Sequence, residues 1–454
     1  MLKQQKIFFD FLRFCIGSVK EIPDSLKEAD WKELYAIAKK QCLVGVLFDG
    51  IKKLPAEYVG MKKELLLQWM AESQMLEKAN VRLNDAAIQV SEWFRKKGFR
   101  TCILKGQGNA LMYPNPYSRT PGDIDIWVEG GDKRVISFVR SISPHEKACY
   151  HHIEFPSYKG VEVEVHYRPS FLLCFWHDRK LQKYYEREKE EQFSHRVMLG
   201  EQGEIAIPTA EFNLIFQLTH IFSHLMNEGI GLRQLVDYFY VLCDFYKVYQ
   251  NSSNPSVSLS KGSSTFSPSP SSSGSGDVTA PSRCSEPLRS KDGGPSKVSP
   301  DCAGWDRRGV SGDTGSVSCS SGSSITSVSS AFTTDSSAST ALDVVQRELK
   351  YLGLWKFAGA VMFVLHEVLG LAEDKMIVPI DEKRGRLLLA EILDGGNFGR
   401  HFTKYARFTH QSMRKKYFLK IWRNMHFVRY YPAEALCEPL FRTWHFFWRM
   451  KNKK

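Results

Sequence analysis

The 454-residue chain is long enough for two or three domains and a large core, and its 43% hydrophobic and 13% aromatic residues describe a globular protein carrying some dilution. Its net charge of +12 is unevenly placed: from His401 onward thirteen Lys and Arg face two Glu, so the basic signal belongs to the tail and the rest is near neutral. Ten cysteines with no C-x-x-C pair and no Cys/His ladder argue against a disulfide framework or a zinc site, and read as reduced thiols of a cytoplasmic protein.

Residues 1–97 form a helical region. Trp31, Leu34, Tyr35, Ile37 and Ala38 recur at helical spacing, as do Leu65, Leu66, Trp69 and Met70, and then Ala86, Ala87, Val90, Trp93 and Phe94. Asp10 and Arg13 interrupt any signal-peptide core, and no run of about 18 apolar residues offers a membrane span.

Residues 98–208 carry the motifs. Phe99 to Leu104 is a short strand, and Lys105 to Met112 turns into a helix. Gly106 and Gly108 permit close backbone approach, and the amides of Gly106 and Gln107 at a helix start are donors of the kind that hold phosphate. Lys105 is read either as a point charge for a triphosphate or as a solvated surface lysine. After a proline-rich loop, Arg119 is either a guanidinium fork for phosphate or an ion-pair partner of the acids beside it.

Asp123 and Asp125 are two apart on an apolar strand, so both carboxylates share one face while Ile124 and Ile126 share the other. Asp132 to Ser141 reads as a crossover helix. His151–Phe155 and Val161–Tyr167 read as a hairpin joined by Pro156–Gly160. On its second strand Glu162, Glu164 and His166 share a face, opposite three valines. If the acidic strands pair, three or four carboxylates converge, a costly cluster unless cations neutralise it. Oxygen ligands favour Mg²⁺ or Mn²⁺. Taken alone, the same alternation also describes a solvent-facing sheet surface.

Phe171 to Glu191 is helical, and Ile205 to Pro208 is expected as a closing strand. Residues 209–250 form a helical region packing on the core, with Thr209 as the cap of its first helix. His220 and His224 have zinc-like spacing but no evident third ligand. Arg233 and Asp237, also four apart, read by default as an ion pair. Residues 251–340, about a third serine, read as a disordered insert. Helices resume in residues 341–454. There the basic, aromatic tail from residue 400 either packs its aromatics inward, contacts a polyanion, or lies on a membrane surface.

Leu104-Lys105-Gly106, Arg119, Gly122-Asp123-Ile124-Asp125, Glu164-Val165-His166 and Leu232 to Asp237 together resemble the bacterial family of uncharacterised nucleotidyltransferases, within the polymerase-beta-like superfamily. The resemblance implies an α+β fold: a mixed-sheet nucleotidyltransferase core between helical regions. It implies transfer of a nucleoside monophosphate from an NTP to an acceptor hydroxyl, with Asp123, Asp125 and Glu164 as metal ligands. Lys105, Gly106, Gln107 and Arg119 would contact the nucleotide, and Glu162, His166 and Arg233 would support the site. The chain departs from the superfamily turn, which carries Gly-Gly or Gly-Ser where this one has Lys105-Gly106. Two other readings stand beside this one: a nucleotide-binding regulator on the same fold without turnover, and a polyanion-binding adaptor acting through residues 400–454.

Overall fold

A four-stranded mixed sheet holds the motifs in place. The computed structural model describes residues 3–201, 203–252, 337–401 and 421–452. All but the two ends of the expected serine-rich insert, and residues 402–420 of the basic tail, lie outside the described residues.

The N-terminal region comprises α1 (Lys3–Ile16), α2 (Trp31–Gln41), α3 (Val44–Ile51) and the long α4 (Lys63–Lys96); the apolar stripes read from the sequence fall on α2 and α4. Asp30 starts α2 by accepting from the amides of Lys32 and Glu33, satisfying two donors that have no helical partner. Trp69 of α4 is fully buried and donates its indole N–H to the Val44 carbonyl at 2.9 Å. Gly45 lets α3 meet the loop that carries Arg119: a Cβ there would lie 2.3 Å from the Ser118 carbonyl oxygen.

The sheet follows in the order β1-β2-β4-β3. Strand β1 (Thr101–Leu104) runs antiparallel to β2 (Ile124–Val128), and β2 runs parallel to β4 (Val161–His166). Parallel pairing needs a crossover, supplied by α6 (Gly131–Ile142) after the short α5 (Gly106–Ala110). Strand β3 (His152–Tyr158) closes the hairpin with β4. It runs further than the sequence reading has it. A register shift between Phe155 and Tyr158 accommodates Pro156, so the turn proper is Lys159-Gly160, both at positive φ.

One sheet face presents Ile124, Ile126, Val128, Val163 and Val165 to the second half of α4 and to α6. On the other, Trp127 stacks on Phe212 with ring centroids 5.9 Å apart. That contact docks α8 (Ala210–Asn227) over the acidic face, together with α7 (Phe175–Ser194).

Two local expectations need correction. Residues Glu204–Ala206 (β6) do not close the main sheet; they pair with Arg196–Met198 (β5) as a separate ribbon. Thr209 occupies the cap position of α8, but its hydroxyl makes no cap bond. Gln192 instead accepts from the Thr209 amide at 2.7 Å.

Helices α9 (Leu232–Ser252), α10 (Ser337–Tyr351), α11 (Trp355–Leu369) and α12 (Glu382–Gly395) complete the helical layer. In the tail, Arg423 and Asn424 donate to the carbonyls of Leu225 and Met226, closing the C-terminal end of α8. The final helix, α13 (Pro432–Lys451), starts at Pro432, where no intrahelical donor is needed, and carries Pro439 in its interior. The tail aromatics divide: Phe427, Tyr431 and Phe441 are buried, whereas Trp422, Phe446 and Phe447 are exposed. Among the described residues no helix is long and apolar enough to cross a membrane.

Candidate active site

The carboxylates meet because of register. Parallel pairing sets Asp125 of β2 beside Glu164 of β4, and Asp123 lies just before β2. One oxygen from each of Asp123, Asp125 and Glu164 lies within 4.8 Å of the others. They line a cavity of about 590 Å³ whose remaining walls come from α8, α9, the turn at Phe398 and α13. Asp125 is only 3% exposed, which excludes a solvent-facing sheet at this position.

The charge is partly balanced from within. Lys105 donates to Asp125 Oδ2 at 2.9 Å and to His220 Nε2 at 3.1 Å. His166 Nε2 donates to Asp125 Oδ1 at 2.9 Å and stands 3.5 Å from Glu164. His152 Nδ1 lies 3.1 Å from the same Glu164 oxygen. Burial opposes ionisation of Asp125, but Lys105 and His166 outweigh it and hold the carboxyl well below its ordinary range. The Asp125 charge, and then burial, push Asp123 up to about 6. Burial disfavours charge on His166 too, yet its bonds to Asp125 and Glu164 raise it to about 9. His152 is lowered to about 4 by burial and by His166, so it is neutral at pH 7. His220 is also lowered, by burial first and then by Lys105. Three carboxylates therefore face two firm cations, Lys105 and His166.

The backbone at Lys105 is strained to aim that ammonium. Its φ of 54° and ψ of −140° belong to a region used almost only by glycine, at a cost of about 1–3 kcal/mol. Gly106 follows at φ 48° and lines the cavity. Such strain, over-determined by the strand before and the helix after, is the mark of a constrained functional turn.

The other sequence candidates separate. Gln107 does not line the cavity; its side chain is buried against Asn84 and the Asn80 carbonyl. Glu162 is exposed at the far end of β4, away from the cavity. Arg119 borders the cavity, but its fork is committed to Asp237 through two bonds of 2.8 Å. Tyr113 donates to the same carboxylate at 2.6 Å. The expected Arg233–Asp237 pair is accordingly replaced. Arg233 instead donates from Nη1 to the Thr120 carbonyl at 3.0 Å, lies over the Phe398 ring, and keeps a buried Nε with no hydrogen-bond partner in the cavity wall.

His220 and His224 stand 2.9 Å apart on that wall, and among the described residues no third metal-type ligand joins them. Two contributors escaped the sequence reading. His152 was legible in principle, because hairpin register sets it opposite His166. The wall built by α13, with Glu438, Phe441, Arg442 and His445, had no local signal.

Residues 27–249 match the model of the family described as uncharacterised nucleotidyltransferase. Among solved structures the chain is similar to an antigenic nucleotidyltransferase-like protein from Paracoccidioides brasiliensis, at 14% identity, covering 36% of this chain and 75% of that one, with a TM-score of 0.23. No curated protein matches.

Proposed function

We propose that the protein moves a nucleoside monophosphate from an NTP to an acceptor hydroxyl at the Asp123–Asp125–Glu164 cluster. The observation that carries this reading is the convergence of the three acids within 4.8 Å, at the floor of a cavity with cations on its walls. The donor set suits a hard divalent cation: three carboxylates, under-neutralised by two cations, with an ammonium already resting on Asp125. Mg²⁺ or Mn²⁺ held there supplies charge neutralisation and alignment for in-line displacement at phosphorus.

The residues divide the remaining work. His166 orients Asp125 from behind, as partners of metal ligands do. Glu164, kept ionised by His166 and His152 against its burial, completes the carboxylate set and is the group placed to take the acceptor's proton. Lys105 neutralises Asp125 in the structure and is assigned to the phosphates in the nucleotide complex, with the Gly106 amide beside it. Arg233, with an unsatisfied donor in the wall, takes the phosphate role that the sequence reading gave to Arg119.

Calorimetric titration of ATP, GTP, CTP and UTP with Mg²⁺, on wild type and on Asp123→Ala/Asp125→Ala, tests the reading. One NTP is expected to bind only with metal and to lose binding in the double variant. Failure of all four to bind the wild type, or turnover surviving in the variant, overturns it.

A further inference from the structure

A second cluster of metal-type donors lies outside the cavity, where α13 crosses the start of α7. Cys174 immediately precedes α7 and His177 lies three residues on. Glu434 and Cys437 are likewise three apart, on the first turns of α13. Three-residue spacing on α13 sets Glu434 and Cys437 on one side of that helix. The Sγ of Cys174, a ring nitrogen of His177 and a carboxylate oxygen of Glu434 all lie within 4.8 Å of one another. The 4.8 Å cluster itself comprises Cys174, His177 and Glu434; Cys437, one turn beyond Glu434 on α13, interacts with the Cys174 thiol at its edge. Both cysteines are free thiols.

The surroundings hold these donors in place. Glu434 Oε2 accepts from the amides of Leu173 and Cys174 at 2.7 and 2.8 Å, which fixes the carboxylate and leaves Oε1 toward His177 Nδ1 at 2.8 Å. The His177 ring lies against Gly353, where an added Cβ would come within 2.7 Å of it. Anchoring of ligand side chains by neighbouring backbone is how metal sites keep their geometry.

We propose that Cys174, His177, Glu434 and Cys437 form a structural zinc site. Two sulfurs, one imidazole nitrogen and one carboxylate oxygen make the closed four-ligand set of structural zinc, and thiolates select zinc over the Mg²⁺ suited to the carboxylate cluster. Binding forms two Zn–S bonds, one Zn–N and one Zn–O bond, and releases the two thiol protons to solvent. The site clips α13 to α7. The next turns of α13 carry Glu438, Phe441, Arg442 and His445 into the cavity wall, so the clip holds that wall shut.

The test uses the full chain, purified under reducing conditions and freed of metal. Titration with Zn²⁺ against a chromophoric chelator is expected to reveal one tight equivalent per chain, and to raise the melting temperature. Titration with Co²⁺ is expected to give intense tetrahedral absorption with a thiolate charge-transfer band. That band should be lost in Cys174→Ser and in Cys437→Ser, and retained in Asp123→Asn. Absence of the band in the wild-type chain overturns the proposal without recourse to any variant. A Cys174–Cys437 disulfide in non-reducing peptide mass spectrometry of the native protein overturns it equally, as does an unchanged band in Cys437→Ser.

Discussion

At the scale of single residues, Asp123 and Asp125 are alike in sequence and opposite in environment. Asp125 is the counter-ion of Lys105 and His166, and Asp123 bears the repulsion that Asp125 creates. Asp125→Asn is therefore expected to destabilise the protein by about 3–5 kcal/mol, the usual effect of removing one partner from a buried ionic set. Asp123→Asn is expected to raise the melting temperature while abolishing NTP turnover, because it relieves a like-charge contact kept for function. Differential scanning fluorimetry of the two variants, side by side with a turnover assay, checks the contrast; equal shifts of the same sign would contradict it. The pattern of acids was legible because strand alternation is a local rule. The torsion of Lys105 was not, since its strain is imposed by the neighbouring strand and helix, and the commitment of Arg119 depends on Asp237, 118 residues away.

Between elements, the Arg119–Asp237 pair ties the loop before β2 to α9. Arg119 holds the buried Asp237 carboxyl below its usual range, overcoming the burial that opposes its charge. A depressed folded-state value means that the stabilisation is complete above the unfolded carboxylate pKa of about 4 and is lost as pH falls through the lower, folded value. Asp237→Asn is thus expected to be less stable than wild type at neutral pH, and the difference should narrow below about pH 4. Urea denaturation between pH 2 and pH 7, ranges set by that same linkage, measures it; a gap that widens in acid would contradict the assignment. Sequence periodicity located α2 and α4, because apolar stripes are what helices bury. It missed β5, whose three residues carry no alternation long enough to read, and it extended a turn through Pro156 that the bulge in β3 absorbs.

For the whole molecule, the charge surplus sits on the tail, where Arg429, Arg449 and Lys451 are exposed beside exposed aromatics. Retention on heparin is expected to fall steeply with salt, to be independent of Mg²⁺, and to weaken in Arg429→Glu/Arg449→Glu/Lys451→Glu with metal-dependent NTP binding intact. Retention unchanged by those substitutions would remove the tail from consideration as a polyanion contact. The cavity itself was only half legible. Its floor is written within residues 105–166, where spacing speaks, but its walls are recruited from α8, α9, the turn at Phe398 and α13 by packing that no short window encodes. That division has a consequence in time. Synthesis runs from the N-terminus, so residues 105–166 of the floor are made long before α13 exists. A nascent chain carries the carboxylates with one side open, and the cavity wall is completed only once α13 has emerged.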